Sequence, residues 1–159
     1  MKKLVLVVCM LLFVVHGFSA SILINMDEDQ KNHLKAYGIA FLSLKNNVEV
    51  DWLLNYRGGS FLIKYNPTLE SELKVRGVSY EVIADAKVNA ILSEINQPEA
   101  NQDMVKLEKA PKVAVYSPKN KLPWDDAVTM VLTYAEIPYD VIYDEDVLQG
   151  KLVKYDWLH

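Results

Sequence analysis

Lys112-Val113-Ala114-Val115-Tyr116 is followed by an amphipathic segment over residues 123–136, then by Tyr139-Asp140-Val141-Ile142-Tyr143. After an acidic loop comes Tyr155-Asp156-Trp157-Leu158-His159. This reads as strand, helix, strand, loop and the opening of a third strand. Parallel neighbours cannot be joined by a tight hairpin, so a helix has to carry the chain back between them. The stretch therefore predicts a parallel α/β sheet over residues 111–159, with only its first half present. Val113, Ala114 and Val115 are apolar on both sides of the pleat, as in strands covered on both faces. In the helix, Pro123 stands near the start, and Asp125 and Asp126 complement the dipole by about 0.3–1 kcal/mol. Ala127, Val128, Val131, Leu132 and Ala135 form the stripe expected to face the sheet.

At the other end, Met1-Lys2-Lys3 precedes an unbroken apolar run over residues 4–15, and Gly17-Phe18-Ser19-Ala20 follows. This is the layout of a secretory signal peptide, with a core too short to span a bilayer. Cleavage is expected after Ser19 or Ala20, which places the protein in the periplasm or outside the cell. Cys9 does not fit a lipoprotein signal, because Val8 before it is not small. Without residues 1–20, which hold Lys2 and Lys3 and no acid, 15 basic residues face 21 acidic ones, a net charge of −6. Nucleic acid and stable insertion in a membrane are therefore not expected, and a small molecule is the expected partner. Cys9 is the only cysteine, so the mature chain has no disulfide, thiolate metal site or cysteine nucleophile.

Residues 21–96 read as a small α+β unit. Residues 21–26 look like a short apolar lead-in. A helix is expected from Asp27, with Gln30 as its capping-box partner and Gly38 as its stop. Residues 39–44, 48–56 and 60–65 read as three strands of an antiparallel meander, turned at Asn46-Asn47 and Arg57-Gly58-Gly59. Asn66-Pro67 opens a helix that Gly77 ends, and Val78, Tyr80 and Val82 alternate as a strand. Asp85 caps a helix with Val88, Ile91, Leu92 and Ile95 on one face. Residues 97–110 hold few large apolar side chains and read as a surface linker.

Ligands of open α/β sheets bind at the carboxyl ends of strands. The loop Ser117-Pro118-Lys119-Asn120-Lys121-Leu122-Pro123-Trp124 follows the first parallel strand, so Lys119, Lys121 and Trp124 are candidates to hold an anionic or sugar-like group. A solvated loop stiffened by two prolines is the plainer account. The loop has no glycine, so it is not a dinucleotide fingerprint. His159 stands at the end of the third strand, where α/β enzymes place functional groups. His33 is expected on an exposed surface helix. Arg57-Gly58-Gly59-Ser60 could form an anion nest, although a Gly-Gly hairpin corner explains it more simply. Asp144-Glu145-Asp146 could attract a hard cation but reads more simply as solvated. No Ser-His-acid set, G-x-S-x-G elbow or metal-ligand spacing is present, and no residue pattern names a cofactor.

Two segments together carry a resemblance. They are Asp51-Trp52-Leu53-Leu54-Asn55-Tyr56-Arg57-Gly58-Gly59-Ser60-Phe61, and Pro123-Trp124-Asp125-Asp126-Ala127-Val128 running on to Ile137-Pro138-Tyr139-Asp140-Val141-Ile142-Tyr143-Asp144. They resemble exported Bacteroidetes proteins commonly labelled asparagine synthetase B, over essentially the whole mature chain. The second half also resembles the start of a class I glutamine amidotransferase-like domain, whose third strand often carries a pair like Tyr155-Asp156. The resemblance implies a flavodoxin- or amidotransferase-like sheet in a longer, hydrolase- or amidotransferase-like protein, with its active centre beyond His159. The alternative is a non-catalytic periplasmic binding module that uses the same strand-end crevice. Glutamine-dependent asparagine synthetases resemble one another in an N-terminal cysteine nucleophile and a Ser-Gly-Gly-x-Asp-Ser ATP loop. The mature chain has neither, so asparagine synthesis itself is not expected, nor is catalysis by residues 21–159 alone. If export is correct, mass spectrometry of the protein from its own host finds its first residue near Ser21 or Ile22; a protein that retains Met1 would refute it.

Overall fold

The computed structural model describes residues 19–118 and 127–159. They form a mixed α/β protein with one five-stranded antiparallel sheet and one three-stranded parallel sheet. The antiparallel strands are β1 (Ala20–Ile24), β2 (Val50–Leu54), β3 (Ser60–Lys64), β4 (Glu81–Ala84) and β5 (Asp103–Leu107), in the order β4-β1-β3-β2-β5. Helices α1 (His33–Lys45) and α2 (Pro67–Arg76) cover one face, packing Ala36, Ile39, Ala40, Leu44, Leu69 and Leu73 on Ile22, Ile24, Val50, Phe61 and Ile63. Helix α3 (Asp85–Ile95) covers the other, setting Val88, Ile91 and Ile95 on Leu23, Leu53, Leu62 and Ile83.

Several elements differ from the sequence reading. The lead-in at 21–26 is strand β1, paired to β3 on one side and β4 on the other. Both of its faces are buried, so Ile22-Leu23-Ile24 shows no polar alternation to announce a strand. The first helix starts at His33, not Asp27, with the Asn32 side chain accepting from the Lys35 N–H at 3.1 Å. Gln30 is a buried tie instead of a capping-box partner. Its amide donates to the carbonyls of Asn25 and Ser79, and its oxygen accepts from the Ser79 and Asn32 N–H groups. Gly38 does not end that helix but lies inside it. The expected strand at 39–44 is the second half of α1, and Asn46 and Asn47 close it, Asn47 with φ 59°. The missed signal is the helical period of the buried residues Ala36, Ile39, Ala40, Ser43 and Leu44, which a stop at Gly38 cuts in two. The meander is therefore not the sheet: β2 and β3 do form a hairpin, but β1 takes the third place. The stretch 97–110, expected as a linker, contains β5, an edge strand on β2. Its side chains are almost all exposed, and backbone pairing holds it.

Other expectations hold. Asn66 caps α2, Pro67 stands in its first turn, and Gly77 closes it at φ 65°. The stripe of α3 is buried at Val88, Ile91 and Ile95, although Ala84 is the cap and Asp85 the first helical residue.

The parallel strands are β6 (Val113–Tyr116), β7 (Tyr139–Ile142) and β8 (Trp157–Leu158), in the order β7-β6-β8. Helix α4 (Ala127–Ala135) precedes β7, and α5 (Asp144–Leu148) with a 3-10 turn at Lys151–Lys154 leads to β8. Of the predicted stripe on α4, only Ala135 is fully buried.

Ala135 meets α1 at Gly38. A Cβ added to Gly38 would lie 1.9 Å from the Ala135 carbonyl oxygen, so the glycine is there for close approach. Polar contacts surround the crossing. Asn32 Nδ2 donates to the Tyr134 hydroxyl at 2.8 Å. Glu136, in the left-handed region at φ 60°, accepts from Lys35 at 2.5 Å and from Arg76 at 2.6 Å. Both cations hold the Glu136 carboxyl below the usual range, Lys35 most.

Alanine at position 38 would gain about 1 kcal/mol of helix propensity, but overpacking against a backbone atom costs about 1–3 kcal/mol. Gly38→Ala is therefore expected to lower the urea midpoint and to speed hydrogen exchange in α4. A variant as stable as the parent would show that the helices do not need this approach.

Candidate functional site

The parallel sheet is pinned at its start and open at its carboxyl ends. Lys112 carries two of the pins. Its carbonyl accepts from the Asp156 N–H at 2.9 Å, and its own N–H donates to Asp156 Oδ2 at 2.8 Å. Lys109 Nζ reaches the same carboxylate at 3.1 Å, and Lys112 Nζ stands 4.9 Å over the Tyr155 ring. Asp156 thus registers β8 on β6, with Val113 opposite Trp157 and Ala114 opposite Leu158. The ladder runs on to His159, whose N–H donates to the Ala114 carbonyl at 3.0 Å and whose carbonyl accepts from the Tyr116 N–H at 2.9 Å.

From β6 the chain goes out to β7 and then returns past β6 to β8. The direction of progress across the sheet reverses between β6 and β8, and such reversals are where open α/β sheets open a crevice for ligands. His159 stands at that point, exposed, and its imidazole has no hydrogen-bonding partner among the described residues. Ser117 follows β6 there, its N–H donating to the Ile142 carbonyl at 3.0 Å. Lys119, Lys121 and Trp124 lie outside the described residues, as do Asp125 and Asp126; the loop that carries them starts from this end of β6.

The sequence did not join Tyr116 to Asp144, which it read only as one of three loop acids. The Tyr116 hydroxyl donates to Asp144 Oδ1 at 2.5 Å, across the ends of β6 and β7. That hydrogen bond raises the phenol above its ordinary range, and burial adds to the rise. The one available signal was position: Tyr116 is the last residue of the first parallel strand.

The three acids at 144–146 do not converge. Asp144 holds Tyr116, while Asp146 accepts from the Tyr143 N–H at 2.9 Å and from Lys151 at 2.5 Å. Among the described residues no group of three or more His, Cys, Asp or Glu is placed to hold a metal.

The turn at Arg57-Gly58-Gly59-Ser60 is filled from within. The Arg57 guanidinium binds Asp27 at 2.6 Å, Glu81 at 3.1 Å and Asp29 at 3.3 Å. The Ser60 hydroxyl donates to the Tyr56 carbonyl at 3.0 Å. A Cβ on Gly58 would meet the Met26 carbonyl oxygen at 2.3 Å, so the corner packs against the end of β1. His33 is exposed as expected, with Nε2 3.1 Å from the carbonyls of Met26 and Asp27.

Comparison with family models, with curated proteins and with solved structures finds no match. The site is therefore argued from this chain's own residues.

The Asp156 carboxyl is held below the usual aspartate range, first by the Lys112 N–H and then by Lys109. A group depressed by folding stabilises fully above its unfolded value, near 3.9. That contribution is lost as pH falls through the lower folded value. Acidification below about pH 4 is therefore expected to free β8 before the antiparallel sheet melts, seen as faster hydrogen exchange at His159 and Tyr116. Asp156→Asn should show that fast exchange already at neutral pH. Equal exchange in both proteins at both pH values would count against the clasp.

Proposed function

We propose that this chain is the N-terminal part of an exported amidotransferase-like or hydrolase-like protein of the family labelled asparagine synthetase B. In this reading the parallel sheet is the start of a flavodoxin- or amidotransferase-like domain. Its ligand site is the crevice between the carboxyl ends of β6 and β8, with the active centre beyond His159. The observation that carries the reading is the strand order β7-β6-β8. Numbered within this unit it is 2-1-3, the order in which flavodoxin-like sheets begin.

The chemistry follows from what the strand ends present. Lys119 and Lys121 supply cations from the loop after β6, and Trp124 an apolar surface. The Tyr116 phenol keeps its proton because Asp144 accepts it, so it serves as a positioned donor and not as a base. His159 presents an uncommitted imidazole at the crevice. Outward-facing apolar side chains support the continuation of the domain: Trp157 is 58% exposed and Leu158 45%. In a doubly wound sheet further strands and helices cover such positions.

The second reading, a binding module without catalysis, draws on one observation. Among the described residues no acid orients the His159 ring, as a general base normally requires.

Residues 21–159 are expected to release no ammonia from glutamine or asparagine. In the same protein citrate, a small polyanion, should shift the amide resonances of Tyr116, Ser117 and His159 first. Lys119→Gln together with Lys121→Gln should weaken that binding about tenfold, as expected for losing charge-assisted hydrogen bonds. Shifts confined to other parts of the chain would sink the strand-end site, and ammonia release abolished by a point change within 21–159 would overturn the placement of the active centre.

A further inference from the structure

Helices α2 and α4 end with the same backbone closure and different residues. In α2 the Gly77 N–H donates to the Lys74 carbonyl and the Val78 N–H to the Leu73 carbonyl, with Gly77 at φ 65°. In α4 the Glu136 N–H donates to the Thr133 carbonyl and the Ile137 N–H to the Leu132 carbonyl, with Glu136 at φ 60°. Both are Schellman closures, whose left-handed position favours glycine because a side chain there is strained. Glutamate is doubly unsuited to it, since the carbonyl end of a helix also disfavours negative charge. What offsets both costs is the carboxylate's grip on two cations from two other helices. It accepts from Lys35 of α1 at 2.5 Å and from Arg76 of α2 at 2.6 Å, and those side chains are only 16% and 17% exposed.

The grip matters because little apolar packing joins the two sheets. Neither apolar cluster of the antiparallel unit includes a described residue of 113–159. Around the Gly38–Ala135 approach stand the Asn32–Tyr134 hydrogen bond and Lys35 Nζ, 5.0 Å from the centre of the Tyr134 ring. Units of one chain move relative to each other unless the interface between them is large and hydrophobic. Lys35, Gly38, Phe41 and Lys45 are three or four residues apart, so they share one side of α1. That side touches α4 at Gly38. Further along, a cleft of about 290 Å³ separates Phe41 and Lys45 from Pro138 and Tyr139, bordered by the connecting chain at Pro111.

We propose that Glu136 is an ionic latch that holds the parallel unit against α1 and α2, and that its release lets this unit swing on the connector 108–112 and open the cleft at Phe41. The latch acts between the two sheets, so it does not depend on what the strand-end crevice binds.

NMR of the full chain with a neutral soluble nitroxide tests it, because the nitroxide relaxes amides that become exposed. The readout is at Gly38 and Ala135, both buried in the parent. Glu136→Gly removes the carboxylate and relieves the backbone, whereas Glu136→Ala removes the carboxylate and keeps the strain. The glycine variant should therefore melt above the alanine variant. Both should nevertheless show about tenfold stronger relaxation at Gly38 and Ala135 than the parent, the factor expected for losing charge-assisted hydrogen bonds. Lys35→Gln together with Arg76→Gln should give the same result without touching α4. The amides of Ile22 and Ile63, central in the antiparallel sheet, should keep the parent's relaxation throughout. Parent-like relaxation at Gly38 and Ala135 in Glu136→Gly or in the double variant would overturn the proposal. So would an equal rise at Ile22 and Ile63, because general loosening gives that result and a latch does not.

Discussion

Helix α1 is buried on two sides at once. One side carries Ala36, Ile39, Ala40 and Leu44 onto the antiparallel sheet. At Gly38 the same helix lets the last turn of α4 come to backbone contact. The first contact is hydrophobic and tolerant, each large side chain contributing about 1.5–3 kcal/mol. The second is steric and admits no side chain at position 38. The position of the parallel sheet relative to the antiparallel one, and hence where the strand-end crevice opens, depends on this crossing. The ring of Asn32, Lys35, Arg76, Tyr134 and Glu136 around it supplies direction to a contact that packing alone would leave free to slide.

The same division of labour recurs elsewhere. Apolar residues provide most of the cohesion, and a few polar groups decide geometry. Gln30 ties the end of β1 to the approach to β4 through three hydrogen bonds, and its oxygen also accepts from the Asn32 N–H before α1. Arg57, in the left-handed region at φ 43°, is kept there by the carboxylates of Asp27, Asp29 and Glu81. Such a backbone conformation costs of order 1–3 kcal/mol and persists only when its surroundings over-determine it. The return is a corner tight enough for Gly58 to pack on Met26. In the parallel sheet Asp156 plays the equivalent part, choosing the register of a strand whose own side chains are exposed.

The strand-end crevice and the cleft between α3 and the antiparallel sheet differ in what builds them. The strand-end crevice follows from connectivity: the chain reverses its progress across the sheet between β6 and β8, and the strand ends leave backbone and side chains facing outward. The cleft under α3 follows from register: Asp51, Lys64 and Ser21 share a face because the β1–β3 and β3–β2 pairings put them there. The first is visible as a pattern of elements, the second only once strands are paired.

That difference also separates what the amino-acid sequence determined from what tertiary structure decided. The parallel strands, the helix between the first two, the opening of a third strand at residues 155–159, the caps of α2 and the stripe of α3 were legible, because local periodicity and local capping chemistry produce them. His159 was legible as a strand-end residue for the same reason. The role of Gly38 was not, since a glycine that ends a helix and one that admits a neighbouring helix look alike until the neighbour is present. Strand β1 was hidden because burial on both faces removes alternation, and β5 because an edge strand held by backbone bonds needs no apolar signature. The Tyr116–Asp144 bond and the grouping of Ser21, Asp51 and Lys64 join residues far apart in the chain. Their partners are set by the order and register of strands, which only the assembled sheets determine.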